Sequence, residues 1–203
     1  MSTGNVISLS RLPLLFFCVW LLHVPSPWAK LLDVVLLFIL FLMDWFDGYF
    51  ARLRNQVTRM GAVLDIAIDR TVENVLWVAF LDLGLVGLWV PAIFLTRSFV
   101  VDGIRGVAVK RGHTPFGMMT SPLGKFLVAG RFMRALYGAV KMGAFLALAL
   151  AMAAAEAQHP QAALAMAAAQ GLVYGAVALN LLRGIPVLID SRPLFREGGE
   201  GGA

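Results

Sequence analysis

Hydrophobic residues run along this chain in six long stretches, separated by short polar joints. They cover roughly residues 12–24, 31–53, 61–82, 88–109, 124–155 and 161–189. A helix needs about 20 mostly apolar residues to cross the hydrocarbon of a bilayer. The first stretch, LPLLFFCVWLLHV, is short unless residues before it contribute; the other five are long enough. The last two are rich in alanine and glycine, which lets helices approach closely in lipid. The pattern predicts an all-α integral membrane fold of six transmembrane helices. No polar linker or change in composition divides the chain, so residues 1–203 are expected to form a single domain. Arg11, an apolar run and then PSPWA mimic a cleaved signal peptide, but the further stretches that follow argue for a retained helix.

Composition agrees. The chain is 60% hydrophobic and 14% charged, against about 45–50% and about 25% in soluble domains. Its one cysteine, Cys18, cannot form an internal disulfide. His23, His113 and His159 are scattered, without the spacing of a zinc site. The net charge of +5 would hint at nucleic acid in a soluble protein, but here its distribution matters more and no nucleic-acid partner is expected. Arg11, then Arg52, Arg54 and Arg59, then Arg105, Lys110, Arg111 and Lys125, then Arg192 and Arg196 all fall on one side of a six-span topology. The other side has Lys30, with Asp82 and Glu156 nearby. By the positive-inside rule both termini are cytoplasmic.

Some charges are not needed for topology. Asp44, Asp47, Asp65, Asp69, Arg70, Glu73, Arg97, Asp102, Arg131 and Arg134 stand at or inside the ends of the stretches. Charges in such places default to function. Asp44 and Asp47 are one helical turn apart, and so are Asp65 and Asp69. A short loop around Arg54–Arg59 makes their helices antiparallel neighbours, so the two pairs can face each other. Four carboxylates in a low dielectric repel strongly unless cations lie between them. Oxygen ligands in that number suit Mg²⁺, Mn²⁺ or Ca²⁺ rather than zinc. Two such ions about 4 Å apart form a clamp for phosphoryl chemistry. Gly48 and Ala51 leave the face beside the acids nearly bare, Gly61 extends it, and Arg52 offers a fork for phosphate oxygens.

Together Asp44, Asp47, Gly48, Ala51, Arg52, Gly61, Asp65 and Asp69 spell D-x2-D-G-x2-A-R-x8-G-x3-D-x3-D without a departure. Eight fixed identities at fixed spacing arise by chance on the order of 10⁻¹⁰ per start position. The pattern resembles the signature of the CDP-alcohol phosphatidyltransferase family. The resemblance implies a six-helix membrane fold, usually a homodimer, with a polar active-site cavity open to the cytoplasm. It implies two divalent ions, Mg²⁺ or Mn²⁺, on Asp44, Asp47, Asp65 and Asp69. It places the CDP moiety along Gly48, Ala51, Arg52 and Gly61, and makes Asp69 the general base that deprotonates an acceptor hydroxyl.

Within the family the chain looks most like the bacterial phosphatidylglycerophosphate synthases. Asn5, Ser8 and Arg11 match an N-x2-T-x2-R opening, and DWFDGYFARLRNQVTRMGAVLD matches the stretch around the signature. Arg97, Arg105 and SPLGK, with Ser121, Gly124 and Lys125, match the later basic positions. This similarity implies CDP-diacylglycerol and glycerol 3-phosphate as substrates, in a bacterial cytoplasmic (inner) membrane. Arg97, Arg105 and Lys125 would form a basic pocket suited to an acceptor that carries a phosphate. There are departures. Ser98 and Gly106 stand where glutamates are common, and Leu127 replaces a lysine. Arg131, four residues beyond Leu127 and so on its helical face, is expected to return that charge. Glu73 is expected either to tune Asp69 or to pair with Arg70 or Arg97. Three readings compete with glycerol 3-phosphate transfer: the same chemistry on another acceptor such as inositol phosphate, a cation-binding membrane protein, and an inactive homologue. The cation-binding reading does not explain the four small or basic signature positions, and the complete aspartate set argues against an inactive homologue.

Overall fold

The computed structural model describes residues 3–53, 59–110 and 121–191, and within its helices leaves out the side chains of 3–7, 45–53, 59–60, 62 and 109–110. All secondary structure among the described residues is helical. Long helices lie over all six apolar stretches: α1 (Thr3–His23), α2 (Pro27–Leu53), α3 (Arg59–Asp82), α4 (Trp89–Lys110), α6 (Arg131–Glu156) and α7 (Ala162–Asp190). A three-residue turn of helix, α5 (Pro122–Gly124), runs into a π-helical turn at Lys125–Ala129. Among the described residues, α6 and α7 are long and apolar enough to cross a membrane. The first stretch gains its missing length upstream, because α1 starts at Thr3 and carries Pro13 inside it. The fifth is shortened: Gly130, at ψ 131°, ends the π-helical turn before α6 begins. A methyl group there would overlap the carbonyl oxygen of Phe126, so only glycine fits.

The joints are built from backbone chemistry. Lys30 is buried, and its Nζ donates to the carbonyls of Leu22 and Val24, placing a cation on the negative end of α1. At the end of α3, Leu85 N–H donates to Phe80 O (3.0 Å) and Gly84 N–H to Leu81 O (2.9 Å), with Gly84 at φ +71°. That is a Schellman ending, which favours glycine at the left-handed position. The end of α6 repeats it, with His159 N–H on Ala154 O and Gln158 N–H on Ala155 O, but Gln158 takes the left-handed φ of 51°.

The chain divides into two compact units, Met1–Pro91 with Met142–Leu172, and Ala92–Lys141 with Val173–Ala203. In the first, α1 packs on α2 and α3. Its core holds Leu15, Leu22, Leu37, Leu40, Val72 and Leu76. Phe145 lies 4.4 Å from Trp77 and 5.8 Å from Phe41, ring centre to ring centre. In the second, Val101, Ala108, Val128 and Val187 form a buried cluster flanked by Ile104 and Leu127.

Beside this apolar core, large apolar side chains are turned outward and several charged ones inward. On α2, Leu31, Leu32, Val35, Phe38, Ile39 and Leu42 form one exposed apolar face, while Lys30 and Asp33 are buried on the other side. Arg11, Glu73, Arg97, Lys141, Asn180 and Arg183 are buried as well. Charged residues turned inward and leucines turned outward are the arrangement expected where the solvent is hydrocarbon.

Candidate active site

In the first unit, α2 carries the first aspartate pair in its last turns and α3 the second pair in its first turns. The side chains of Asp47, Ala51 and Arg52, and the surroundings of Gly48, lie outside the described residues. The side chains of Asp44 and Asp69 are 42% and 39% exposed, while Gly61 and Asp65 are half-buried. Each of the two partly exposed carboxylates is steadied by an arginine. Arg11, fully buried on α1, donates Nη1 to Asp44 Oδ1 at 2.6 Å. Arg70 places Nη1 3.8 Å from Asp69 Oδ2 and 2.8 Å from Glu73 Oε2, with Glu73 almost completely buried.

Glu73 pairs with Arg70 at 2.8 Å, and the same arginine nitrogen lies 3.8 Å from Asp69. Arg11, counted above among the topology charges, is buried against an aspartate of the signature. The available signal was its place in the N-x2-S-x2-R opening on α1. Among the described residues no three of Asp, Glu, His or Cys are gathered as a metal-ready group. The donor set nonetheless fits a divalent cation in chemistry, being all carboxylate oxygen on two sequence-adjacent helices, with Asp44 and Asp69 partly open to solvent.

In the second unit the expected acceptor residues are spread over different surroundings. Arg105 is half-buried, 3.7 Å from Asp102 on the same helix. Lys125 and Arg131 are exposed. The break at Gly130 separates them, so the continuous helical face assumed for Leu127 and Arg131 does not exist. The SPLGK segment is pinned differently: Ser121 donates from Oγ (2.9 Å) and N (3.3 Å) to Asp190 Oδ2 at the end of α7. The same Oγ accepts from Gly124 N at 3.0 Å, capping the turn that leads into Lys125.

Arg97 is buried, beside residues that sequence reasoning passed over. Its guanidinium carbon lies 5.9 Å from the centre of the Tyr137 ring. Lys141 Nζ is 5.4 Å from the same ring and the Arg183 guanidinium carbon 4.9 Å. The Tyr137 hydroxyl donates to Asn180 Oδ1 at 3.1 Å, and Arg183 Nη1 donates to Met133 O at 3.5 Å. All five side chains are buried. Gly184 makes room for the stem of Arg97, since a Cβ there would sit 3.2 Å from Arg97 Cγ. A cation over an aromatic face gains about 0.5–2 kcal/mol, whereas removing one ion from water costs several kcal/mol even after relaxation. The sequence signal for Lys141 and Arg183 was their place as single charges well inside alanine-rich apolar helices.

The family model described as CDP-alcohol phosphatidyltransferase matches residues 1–182 of the chain. The chain is also similar to the CDP-diacylglycerol–glycerol-3-phosphate 3-phosphatidyltransferase of Bacillus subtilis (strain 168), with 28% identity over 121 residues, 54% of this chain and 63% of the relative. The protein of the same name from Salmonella typhimurium is 30% identical over 104 residues, 50% of this chain and 57% of the relative. A Mycobacterium tuberculosis (strain H37Rv) protein named "Putative cardiolipin synthase" is 34% identical over 112 residues, 55% of this chain and 53% of the relative. The chain thus spans between 53% and 63% of the length of these relatives.

Proposed function

The chain belongs to the CDP-alcohol phosphatidyltransferase family, and from that premise we propose that it transfers the phosphatidyl group of CDP-diacylglycerol to glycerol 3-phosphate. The products are phosphatidylglycerol phosphate and CMP. The observation that carries this reading is the unbroken signature from Asp44 to Asp69, set on α2 and α3 of one compact unit.

In the reaction an acceptor hydroxyl oxygen forms a bond to the lipid-side phosphorus. The bond from that phosphorus to the CMP oxygen breaks, and CMP leaves. Asp69 takes the hydroxyl proton, and Arg70, braced by buried Glu73, orients its carboxylate. Gly48, Ala51 and Gly61 leave the backbone bare for the CDP moiety, and Arg52 binds its phosphate oxygens. Members of this family generally use divalent metal ions; two of them, Mg²⁺ or Mn²⁺, on Asp44, Asp47, Asp65 and Asp69 would neutralise charge on the pyrophosphate when bound. Arg97, Arg105 and Lys125 are the proposed residues for the acceptor phosphate; Arg131, cut off from the face of Leu127 by the break at Gly130, loses the reason for its inclusion.

The long helices α1–α4, α6 and α7 are read as six membrane spans with both termini and the active site on the cytoplasmic side, in a bacterial inner membrane and as a homodimer. The outward apolar face of α2 and the buried charges support the membrane reading. A second acceptor alcohol has one observation in its favour: Ser98 and Gly106 replace the glutamates common in the synthase pattern, and Ser98 is buried beside Arg97 in sequence.

The test is CMP release by purified protein in detergent, with CDP-diacylglycerol and Mg²⁺ and with glycerol 3-phosphate, inositol 1-phosphate, serine or no acceptor. Release with glycerol 3-phosphate alone is expected. Release only with another alcohol would move the acceptor assignment, and turnover that persists in EDTA would sink the metal-assisted mechanism.

A further inference from the structure

We infer that His23 and Asp82 form a proton-operated clasp between the ends of α1 and α3, closed when the pair holds an extra proton and loosened when that proton leaves. Both residues belong to one compact unit.

The geometry sets the proton count. His23 Nδ1 lies 2.7 Å from the carbonyl oxygen of Val19, one turn back on α1. Its Nε2 lies 3.0 Å from Asp82 Oδ2, fifty-nine residues away on α3. A carbonyl oxygen accepts and cannot donate, and an ionised carboxylate is the same. A neutral imidazole has one N–H and one lone pair, so against two acceptors it makes one bond and sets its lone pair against the other. Both bonds form together only when ring and carboxylate hold two protons between them. The bond to Val19 stays within α1 and aims the ring. The bond to Asp82 joins two helices.

The neighbouring charges leave this pairing in place. Of the helices packed on α1, α3 brings Asp82 to the ring and α2 brings Lys30, a cation that opposes its charge. Lys30 is itself engaged: its Nζ donates to the carbonyls of Leu22 and Val24, on either side of His23. Asp33 on α2 and Glu156 at the end of α6 add negative charge near Lys30.

Position gives the clasp its consequence. Arg11 ties α1 to Asp44 on α2, and His23, twelve residues later and about 18 Å along the helix, ties it to α3. In the topology proposed above, the clasp faces the side opposite the active site. Acid on that side would then tighten α1 onto the helix that carries Asp65 and Asp69. The sign follows from linkage: the closed form binds a proton that the open form releases, so the tie is present at low pH and lost as pH rises.

The experiment is thermal unfolding of the full chain in detergent at about pH 5.5 and about pH 9, beyond either side of ordinary histidine titration. Wild type, His23→Ala, Asp82→Asn and the double variant make a cycle at each pH, which separates the pair's coupling from any effect of one side chain alone. At the lower pH each single variant is expected to melt about 2 °C below wild type, and the double variant no lower than either. At the higher pH the coupling is expected to vanish. Coupling of equal size at both pH values overturns the clasp, as does its absence at the lower pH. The readout uses no substrate, so it reports on the clasp whether or not CMP is released.

Discussion

The Arg11–Asp44 pair makes an asymmetric prediction. Arg11 is fully buried and Asp44 is 42% exposed, with 2.6 Å between Nη1 and Oδ1. Removing Asp44 therefore strands a charge that has no access to solvent, and stranding one member of a buried pair costs about 3–5 kcal/mol. Removing Arg11 leaves a carboxylate whose side chain is 42% exposed. Its cost is the lost charge-assisted hydrogen bond, discounted for solvation to about 1–2 kcal/mol. Asp44→Ala should then destabilise the protein by about 2 kcal/mol more than Arg11→Met, roughly a 30-fold difference in the unfolding equilibrium. The assay is denaturant or thermal unfolding in detergent with EDTA, so that no metal contributes, with the double variant closing the cycle. The double variant should lie near Arg11→Met alone, because removing both partners leaves no buried charge behind. If Arg11→Met proves as damaging as Asp44→Ala, the burial argument is wrong and the pair is not what anchors α1 to the end of α2.

Three further outcomes follow from the geometry. Asp69→Asn should abolish CMP release while CDP-diacylglycerol binding persists, as measured by titration of the variant with the nucleotide lipid; retained turnover would remove Asp69 from its role as base. Gln158→Gly should stabilise the protein by about 1 kcal/mol, because a non-glycine residue holds the left-handed φ of 51° at the end of α6; a lowered melting temperature would contradict this. Gly184→Ala should raise the acceptor KM several-fold with the CDP-diacylglycerol KM unchanged, since its methyl group would sit 3.2 Å from Arg97 Cγ; equal shifts in both constants would point to general disruption.

Much of the scaffold could be read in one dimension. The apolar stretches marked every long helix, with ends that mostly fall within a few residues of the observed ones, because helix formation in lipid is decided by local composition and length. The exceptions have local causes that hydropathy does not register. Pro13 did not stop α1, whose start at Thr3 lies well before the apolar run, and Gly130 ended a helix that composition alone would have carried through. The signature was legible for the same reason, since spacings of three and four residues place aspartates on one face whatever surrounds them.

Partnership was not legible. The sequence left Glu73 with two candidate arginines, and packing joined it to Arg70. It counted Arg11 as an anchor, and packing buried it against Asp44, thirty-three residues away. It gave no reading of Lys141 and Arg183, and packing brought them to one tyrosine with Arg97. By itself, then, the sequence determined the family and the long helices, because those depend on local composition and on fixed spacings along the chain. Only the tertiary structure decided which buried charge answers which, because a buried charge is stabilised by whatever polar group folding brings within a few ångströms, and that group is usually on another helix.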